Sequence, residues 1–352
     1  MKPRNAFSGI EMEGEHSRPG SRRMRRLDEP ASVWREKELV DGKGVEAGVV
    51  ILQTRGCSHY HNGGCSMCGY NFGSGGEVSA ENLLKQFRKA ADILGEIGFL
   101  KVYTSGSFLD ECEVPRQVAT AILETCRDRG LRLLFESRPE YVSHSKLDEV
   151  LSIHSNLEVA LGLESSNDRI LQCSINKGFT VHDYDNASSL LRQKKVDIRT
   201  YVLLKPPFLT EAEAVRDAVA TTRHASEVSA TISLNPVNVQ NGTLVERLWK
   251  NWSYRPPWLW SVLEVLRTTK GLDAKVVCDP TGGGKERGAH NCGRCDDVIL
   301  DSIRNFSLSQ DHSKLGSPEC TCRDLWSAVM DLEGFVAGGT VDLQRFFRRQ
   351  RA

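Results

Sequence analysis

The run Ala47-Gly48-Val49-Val50-Ile51-Leu52-Gln53-Thr54 is short and apolar, and it leads directly into Arg55-Gly56-Cys57-Ser58-His59-Tyr60-His61-Asn62-Gly63-Gly64-Cys65-Ser66-Met67-Cys68-Gly69-Tyr70. A buried strand that ends in a loop carrying three thiols sets the reading of everything downstream. Similar β-rich runs recur at 99–105, 131–136, 157–163, 197–204 and 228–234, which makes six strand candidates. Amphipathic stretches near 79–96, 115–129, 143–153, 180–194 and 210–225 separate them and are predicted to be helices. Such alternation implies parallel strands joined by right-handed crossovers, in a partial barrel or a doubly wound sheet. In either arrangement ligands collect at the carboxyl ends of the strands.

The 352 residues suffice for roughly two domains. Lys+Arg and Asp+Glu cancel at 46 each, and a 39% hydrophobic, 26% charged composition is that of a globular protein. These values exclude wholesale disorder and a uniformly cationic surface, while a local basic face for nucleic acid stays open. No apolar run approaches the ~18 residues of a membrane span, so no membrane partner is expected. Residues 1–30, with Arg18, Arg22, Arg23, Arg25 and Arg26, read as a mobile basic arm, and they carry charge where a secretory leader needs apolar residues. A cytoplasmic, reducing setting follows, in which eleven cysteines point to metal ligation before disulfides. Cys112, Cys126 and Cys173 stand apart and read as ordinary thiols. The barrel is expected over 31–240. Alternation stops after Asn235, a segment rich in Trp, Arg and Pro covers Asn241 to Pro257, and a C-terminal domain is expected over 241–352.

Cys57, Cys65 and Cys68 are separated by seven and then two residues. Three thiolates suit a [4Fe–4S] cluster with one open iron, whereas a structural zinc would need a fourth ligand such as His59 or His61. At the following strand ends stand Thr104-Ser105-Gly106-Ser107, then Glu136-Ser137-Arg138, then Glu164-Ser165-Ser166, all polar groups converging on one barrel end. Arg138 can pair with a carboxylate. Ser165, Ser166 and Asn167 also read as a helix N-cap, the better account of Ser166. Lys205 and Asn235 close the next two strands, as substrate contacts or as solvated strand ends.

Cys292 and Cys295, with Cys320 and Cys322 beyond a 24-residue insert, can close a four-thiolate site. Zinc is the first choice and a second iron–sulfur cluster the next, with His290 and Cys278 as spare ligands. Such a site would staple a small domain. Lys285, Arg287, Arg294, Arg304 and Arg323 around it suit a phosphate-binding face or a solvated rim.

On these residues the chain resembles the radical S-adenosylmethionine superfamily, whose loop after the first barrel strand carries three cluster cysteines. Seven residues between the first two, where three is usual, is similar to the branch of elongator-acetyltransferase-like and tRNA methylthiotransferase-like enzymes, and Met67 stands where an aromatic is common. Arg55-Gly56-Cys57, Gly64-Cys65-Ser66-Met67-Cys68-Gly69-Tyr70, Tyr103-Thr104-Ser105-Gly106-Ser107-Phe108 and Arg287-Gly288-Ala289-His290-Asn291-Cys292-Gly293-Arg294-Cys295-Asp296 together resemble the radical subunits of archaeosine synthases, from about Trp34 to Trp326. The resemblance implies a partial (β/α)6 TIM-like barrel with a Cys-rich C-terminal metal domain. It implies a [4Fe–4S] cluster on Cys57, Cys65 and Cys68, and S-adenosylmethionine held by Ser105, Gly106, Ser107, Glu136, Arg138, Glu164 and Ser165. The activity it implies is that of an archaeal lyase acting on tRNA. The substrate would be the lysine-bearing 7-deazaguanine at position 15 of the D-arm, and C–N cleavage would leave archaeosine. A partner subunit would install the lysine beforehand. Two other readings compete: a zinc-dependent RNA-binding protein without redox chemistry, and a radical enzyme acting on another tRNA base.

Overall fold

Each strand of the sheet hydrogen-bonds to its neighbours in the chain. The computed structural model describes residues 26–40, 42–70, 77–316 and 318–336. It holds β1 (Ser32–Val40), β2 (Lys43–Ile51), β3 (Phe99–Tyr103), β4 (Arg132–Ser137), β5 (Leu157–Glu164), β6 (Asp197–Leu204), β7 (Thr231–Pro236) and β8 (Lys275–Val277) in one sheet of that order. β1 and β2 pair antiparallel, with Ser32 opposite Ile51 and Val40 opposite Lys43, and every later pair is parallel. The crossovers carry α1 (Ala80–Leu94), α2 (Arg116–Asp128), α3 (His144–Ile153), α4 (Asp168–Ile170, continued by a π turn over Leu171–Ile175), α5 (Val181–Gln193) and α6 (Glu211–Ser226). Beyond β7 come α7 (Leu244–Lys250) and α8 (Leu259–Arg267), and beyond β8 come α9 (Asp296–Ser309) and α10 (Cys322–Val336).

The six expected strands and the five expected helices are all present. Ser79, Thr180 and Thr210 open α1, α5 and α6 with reciprocal capping boxes to Asn82, Asp183 and Glu213, which fixes where those helices begin. Two strands were not expected. β1 carries Glu36 and Glu38 on the face turned into the barrel, so it lacks the apolar alternation that signals a strand, and β8 is only three residues long. Through α8 and β8 the sheet continues past residue 240, where the barrel was expected to end, with Thr231 opposite Lys275.

Alternation along the strands sorts the two faces. Val102, Leu133, Phe135, Val159, Leu161, Ile198, Val202, Ile232, Leu234 and Val276 are buried in the main core, which also takes in residues of the crossover helices. The opposite face carries a small apolar cluster of Ala47, Phe99, Leu134 and Ala160, and otherwise polar residues that line the barrel interior. Of the expected N-terminal arm, residues 1–25 lie outside the described residues. Leu27 and Glu29 are tied to α1, through the Gln86 amide on the Leu27 carbonyl at 2.6 Å and the Lys89–Glu29 pair at 2.5 Å.

Candidate functional site

A cavity of about 650 Å³ opens at the carboxyl ends of the strands and runs down into the barrel. Cys57, Cys65 and Cys68 line one wall of it, on the loop that β2 delivers. Burial pushes the Cys57 and Cys65 thiols up and Cys68 to about 12, while Arg138 opposes the shift at Cys57, and Lys177 and then Arg138 oppose it at Cys65. The loop is fixed from beneath. His59 Nε2–H donates to the Asn176 carbonyl at 2.7 Å, and its ring packs where a Cβ on Gly178 would sit at 2.3 Å. His59 therefore holds the loop to the turn after α4, and this bond engages its Nε2. The Asn176 amide donates to the Gly64 carbonyl at 2.7 Å.

After β3 the backbone N–H groups of Ser105, Gly106 and Ser107 donate to the Glu113 carboxylate at 2.7, 3.0 and 2.7 Å, and Thr54 Oγ1 donates to it at 2.8 Å. The resemblance assigns Ser105, Gly106 and Ser107 to S-adenosylmethionine, but Glu113 already takes their N–H groups. That leaves the Ser105 hydroxyl and the Gly106 backbone on the cavity wall, suited to an ammonium more than to a carboxylate. A Cβ on Gly106 would lie 2.6 Å from Cys57 Sγ, so only glycine lets this turn pass behind the thiol. Thr104 Oγ1, also on the cavity wall, is buried with no partner among the described residues.

Two cations stand close enough to the thiols to act on them. Arg138 donates to Glu140 at 2.5 Å and to the Lys177 carbonyl at 2.9 Å, with its guanidinium 5.2 Å from the Phe179 ring centroid. Lys177 pairs with Glu164 at 2.7 Å. Glu164 itself sits at φ 69, just past a bulge between Gly162 and Glu164 that turns its carboxylate inward. Gly162 makes room for the pair, because a Cβ there would meet Glu164 at 2.7 Å and Lys177 at 2.8 Å.

Glu136 lies deeper, and burial raises its carboxyl to about 7 against hydrogen bonds from Tyr201 and the Thr104 N–H. An acid that holds its proton longer when folded makes stability fall as pH rises, here between about 4.5 and 7. Glu136→Gln is therefore expected to flatten that fall by roughly 2 kcal/mol. Urea midpoints of both proteins at pH 5 and pH 8 check it, and an equal fall in the variant would sink the assignment.

Ser107 and Ser165 do not line the cavity. The Ser107 hydroxyl meets that of Ser137 at 2.9 Å, and Ser165 Oγ donates to Asp217 at 2.8 Å. The cap of α4 belongs to Asn167, whose side chain accepts from the Arg169 N–H at 3.0 Å, and not to Ser166, which bonds Thr221. Lys205 is buried in an ion pair with Glu211 at 2.6 Å, outside the cavity, whereas Asn235 lines it.

The second cysteine group converges tightly. Cys292–Cys320, Cys295–Cys322 and Cys320–Cys322 Sγ atoms stand 3.5, 3.6 and 3.4 Å apart. Among the described residues these four are the one set of three or more His, Cys, Asp or Glu whose ligand atoms all lie within 4.8 Å of one another. Asn291 and Trp260 donate N–H groups to Cys295 and Cys322 at 3.4 and 3.3 Å, and the Arg294 N–H leads in lowering Cys292 to about 6. Cys278 lines the barrel cavity and His290 Nδ1 donates to the Gly288 carbonyl at 2.8 Å, so neither spare ligand joins the set. The basic residues nearby are divided among different partners. Arg287 pairs with Glu246, Arg304 with Asp301, and Arg323 lies over Trp260.

No protein-family model matches the chain. Over 321 residues it is 41% identical to the archaeosine synthase subunit beta of Methanosarcina acetivorans, covering 88% of this chain and 92% of that one. The chain belongs to the archaeosine synthase subunit beta family. The Thermococcus kodakarensis protein of that name is 36% identical over 310 residues, covering 85% of this chain and 96% of its own. Among solved structures, methylornithine synthase aligns with a TM-score of 0.45 at 16% identity, over 79% of this chain and 84% of that one.

For this member of the archaeosine synthase subunit beta family, motif reading missed Glu113, Lys177 and the charged interior. Glu38 pairs with Lys101, with Lys275 at 3.0 Å and with Arg199 at 3.3 Å. Arg199 in turn pairs with Glu158 at 2.9 Å. The signal was available in Asp197-Ile198-Arg199-Thr200-Tyr201, where charge and phenol fall on alternate residues of a strand whose other face is core.

Proposed function

We propose that this chain is the radical-generating subunit of a tRNA-modifying archaeosine synthase, with a [4Fe–4S] cluster on Cys57, Cys65 and Cys68. The observation that carries this is the placing of three thiols, two cations and a buried unpartnered hydroxyl around one cavity at the strand ends. When bound, the cluster would supply one electron and S-adenosylmethionine a carbon radical able to take hydrogen from the carbon beside the linking nitrogen of the lysine adduct; return of that electron from the substrate radical to the cluster and addition of water would then break the C–N bond and release the carbon chain as an aldehyde. The chain's own residues bind and orient. Arg138 and Lys177 present positive charge to the methionyl carboxylate, the Ser105-Gly106 turn faces its ammonium, and Glu136 with Tyr201 supplies hydrogen bonds deeper in the barrel. The reacting base must leave its stack to enter a cavity of this depth. A partner that installs the lysine completes the pathway.

We also assign zinc to the C-terminal thiols. Tetrahedral Zn–S bonds of ~2.3 Å place sulfurs about 3.8 Å apart, close to the observed spacing and shorter than the span of a four-iron cube. The ion would tie α9 and α10 to Trp260 of α8. Cys292→Ala is expected to lower the melting temperature and zinc content before it alters radical chemistry. A variant as stable and zinc-loaded as the parent would refute a ligand role for Cys292.

Anaerobic incubation with S-adenosylmethionine and a reductant tests the reaction class through 5′-deoxyadenosine. Adding lysine-adduct tRNA and digesting to nucleosides tests the substrate, with the adduct expected to give way to archaeosine. A colourless protein carrying zinc at both cysteine groups after iron and sulfide reconstitution would favour the RNA-binding reading instead.

A further inference from the structure

Trp252 is 96% exposed, although it belongs to the Trp-rich segment whose other aromatic side chains are covered. Trp249, one turn earlier, lies under the Arg287 guanidinium at 4.9 Å, and Tyr254 and Trp258 are in the core. The backbone holds Trp252 in place. The Ser253 N–H donates to the Leu248 carbonyl at 2.8 Å and the Trp252 N–H to the Trp249 carbonyl at 3.1 Å, the pair of bonds that ends a helix in a Schellman motif. Trp252 occupies the left-handed position of that motif, with φ 58, where glycine is the usual residue. A bulky side chain in this conformation costs stability, and its near-complete exposure returns nothing by burial. The fold tolerates a strained and bare indole at a defined place.

That place adjoins the mouth of the cavity. The Gly69 N–H of the cysteine loop donates to Gln240 Oε1 at 2.5 Å, and the Val245 N–H in the first turn of α7 donates to the Ser66 carbonyl at 3.3 Å. From there α7 runs about 10 Å to Lys250. The charge beside the indole is positive. Arg247 and Lys250 are exposed one turn apart, and Glu246, the one acid of this helix, is shared by Arg287 at 2.8 Å and by Lys250 at 3.4 Å, so a single carboxylate faces three cations.

We propose that Trp252, with Arg247 and Lys250, is an RNA-docking platform beside the cavity mouth, the indole stacking on an unstacked base and the two cations meeting the flanking phosphates. This rests on the reading of the chain as a tRNA-modifying enzyme. A rigid exposed aromatic accepts any base face, and adjacent basic residues follow the backbone, so the pair recognises single-stranded loops without reading sequence. A protein partner would be expected to need a larger apolar patch around the indole, and the exposed residues beside it along the chain are the polar Arg247, Lys250, Asn251 and Ser253.

The experiment compares binding of an in-vitro-transcribed tRNA to the full chain and to Trp252→Gly, with melting temperature measured on the same preparations. Glycine relieves the strained backbone, so a role in the fold predicts a lower melting temperature, whereas the docking role predicts one unchanged or raised by about 2 °C. In the docking case tRNA affinity falls roughly tenfold, and Trp252→Phe keeps most of it. Arg247→Ala and Lys250→Ala should each reduce the slope of log affinity against log salt by about 0.7 to 0.9. Equal tRNA affinity in the parent and Trp252→Gly overturns the proposal and leaves the tRNA-modifying reading standing. A parent that binds no tRNA overturns both.

Discussion

Cys57→Ala, Cys65→Ala and Cys68→Ala are each expected to abolish 5′-deoxyadenosine formation and to lower bound iron and sulfide, while Cys112→Ala, an exposed thiol outside the cavity, leaves both unchanged. Three irons held by three thiolates leave no spare ligand, and His59, bound through Nε2 to the Asn176 carbonyl, is committed to the loop. Metal ligation requires the thiolate form, and burial holds all three thiols neutral without a metal. Loading therefore releases protons and is favoured by the positive charge of Arg138 and Lys177, which already opposes the upward shifts. Gly106→Ala serves as a companion that touches no ligand atom. Its Cβ would come within 2.6 Å of Cys57 Sγ, so reduced iron loading is expected from displacement of the thiol alone. Iron analysis and visible absorbance read these outcomes independently of turnover. A single Ala variant with full iron content and full cleavage would overturn the ligand assignment.

The features that sequence reading recovered are those written locally. Side-chain caps open every crossover helix but α2, which begins after Pro115, and the six placed strands are short β-rich runs between amphipathic stretches, so six strands and five helices could be placed. The cysteine spacings marked two separate groups, and the C-terminal four converge as expected. The reading failed where a residue's role is set by a partner that its own sequence surroundings do not mark. Glu113 lies six to eight residues beyond the turn whose N–H groups it takes, and nothing in its own surroundings marks it as their acceptor. Lys177 joins the site through Glu164, across a bulge that no propensity signals. β1 was hidden because its inward face is acidic, in a barrel whose interior is polar rather than packed with aliphatics. Ser107 and Ser165 were expected at the cofactor from the resemblance, yet both lie in the loops beyond β3 and β5 with their hydroxyls bonded to Ser137 and Asp217 and not on the cavity wall.

Glu38→Gln is expected to cost about 3–5 kcal/mol of folding stability, the second large effect, because it strips the counter-charge from three buried or half-buried cations at once. Burial alone would raise the Glu38 carboxyl, but Arg199, Lys101 and Lys275 together outweigh it and hold the group down at about 2. A carboxyl depressed from 4.5 in the unfolded chain contributes stability that is complete above about 4.5 and is lost as pH falls toward 2. The loss on mutation should therefore be large at pH 7 and shrink in acid. Its place in the fold explains the size. The sheet is open, with β1 and β8 at its two edges, and Lys275 of β8 reaches across to Glu38 at 3.0 Å and to the Leu39 carbonyl at 2.5 Å. Side-chain charge thus clasps edges that no backbone ladder joins, while Arg199 and Lys101 bind the clasp to β6 and β3. If this account holds, Glu38→Gln combined with Arg199→Met recovers part of the loss, because Arg199 is no longer left buried beside a neutral Gln, while Glu158 keeps Arg132 at 3.1 Å. Denaturant midpoints of the two single variants and the double variant decide it. A Glu38→Gln loss under about 1 kcal/mol, or strict additivity in the double variant, would show that water in the cavity screens the network and that the barrel edges are held by packing alone.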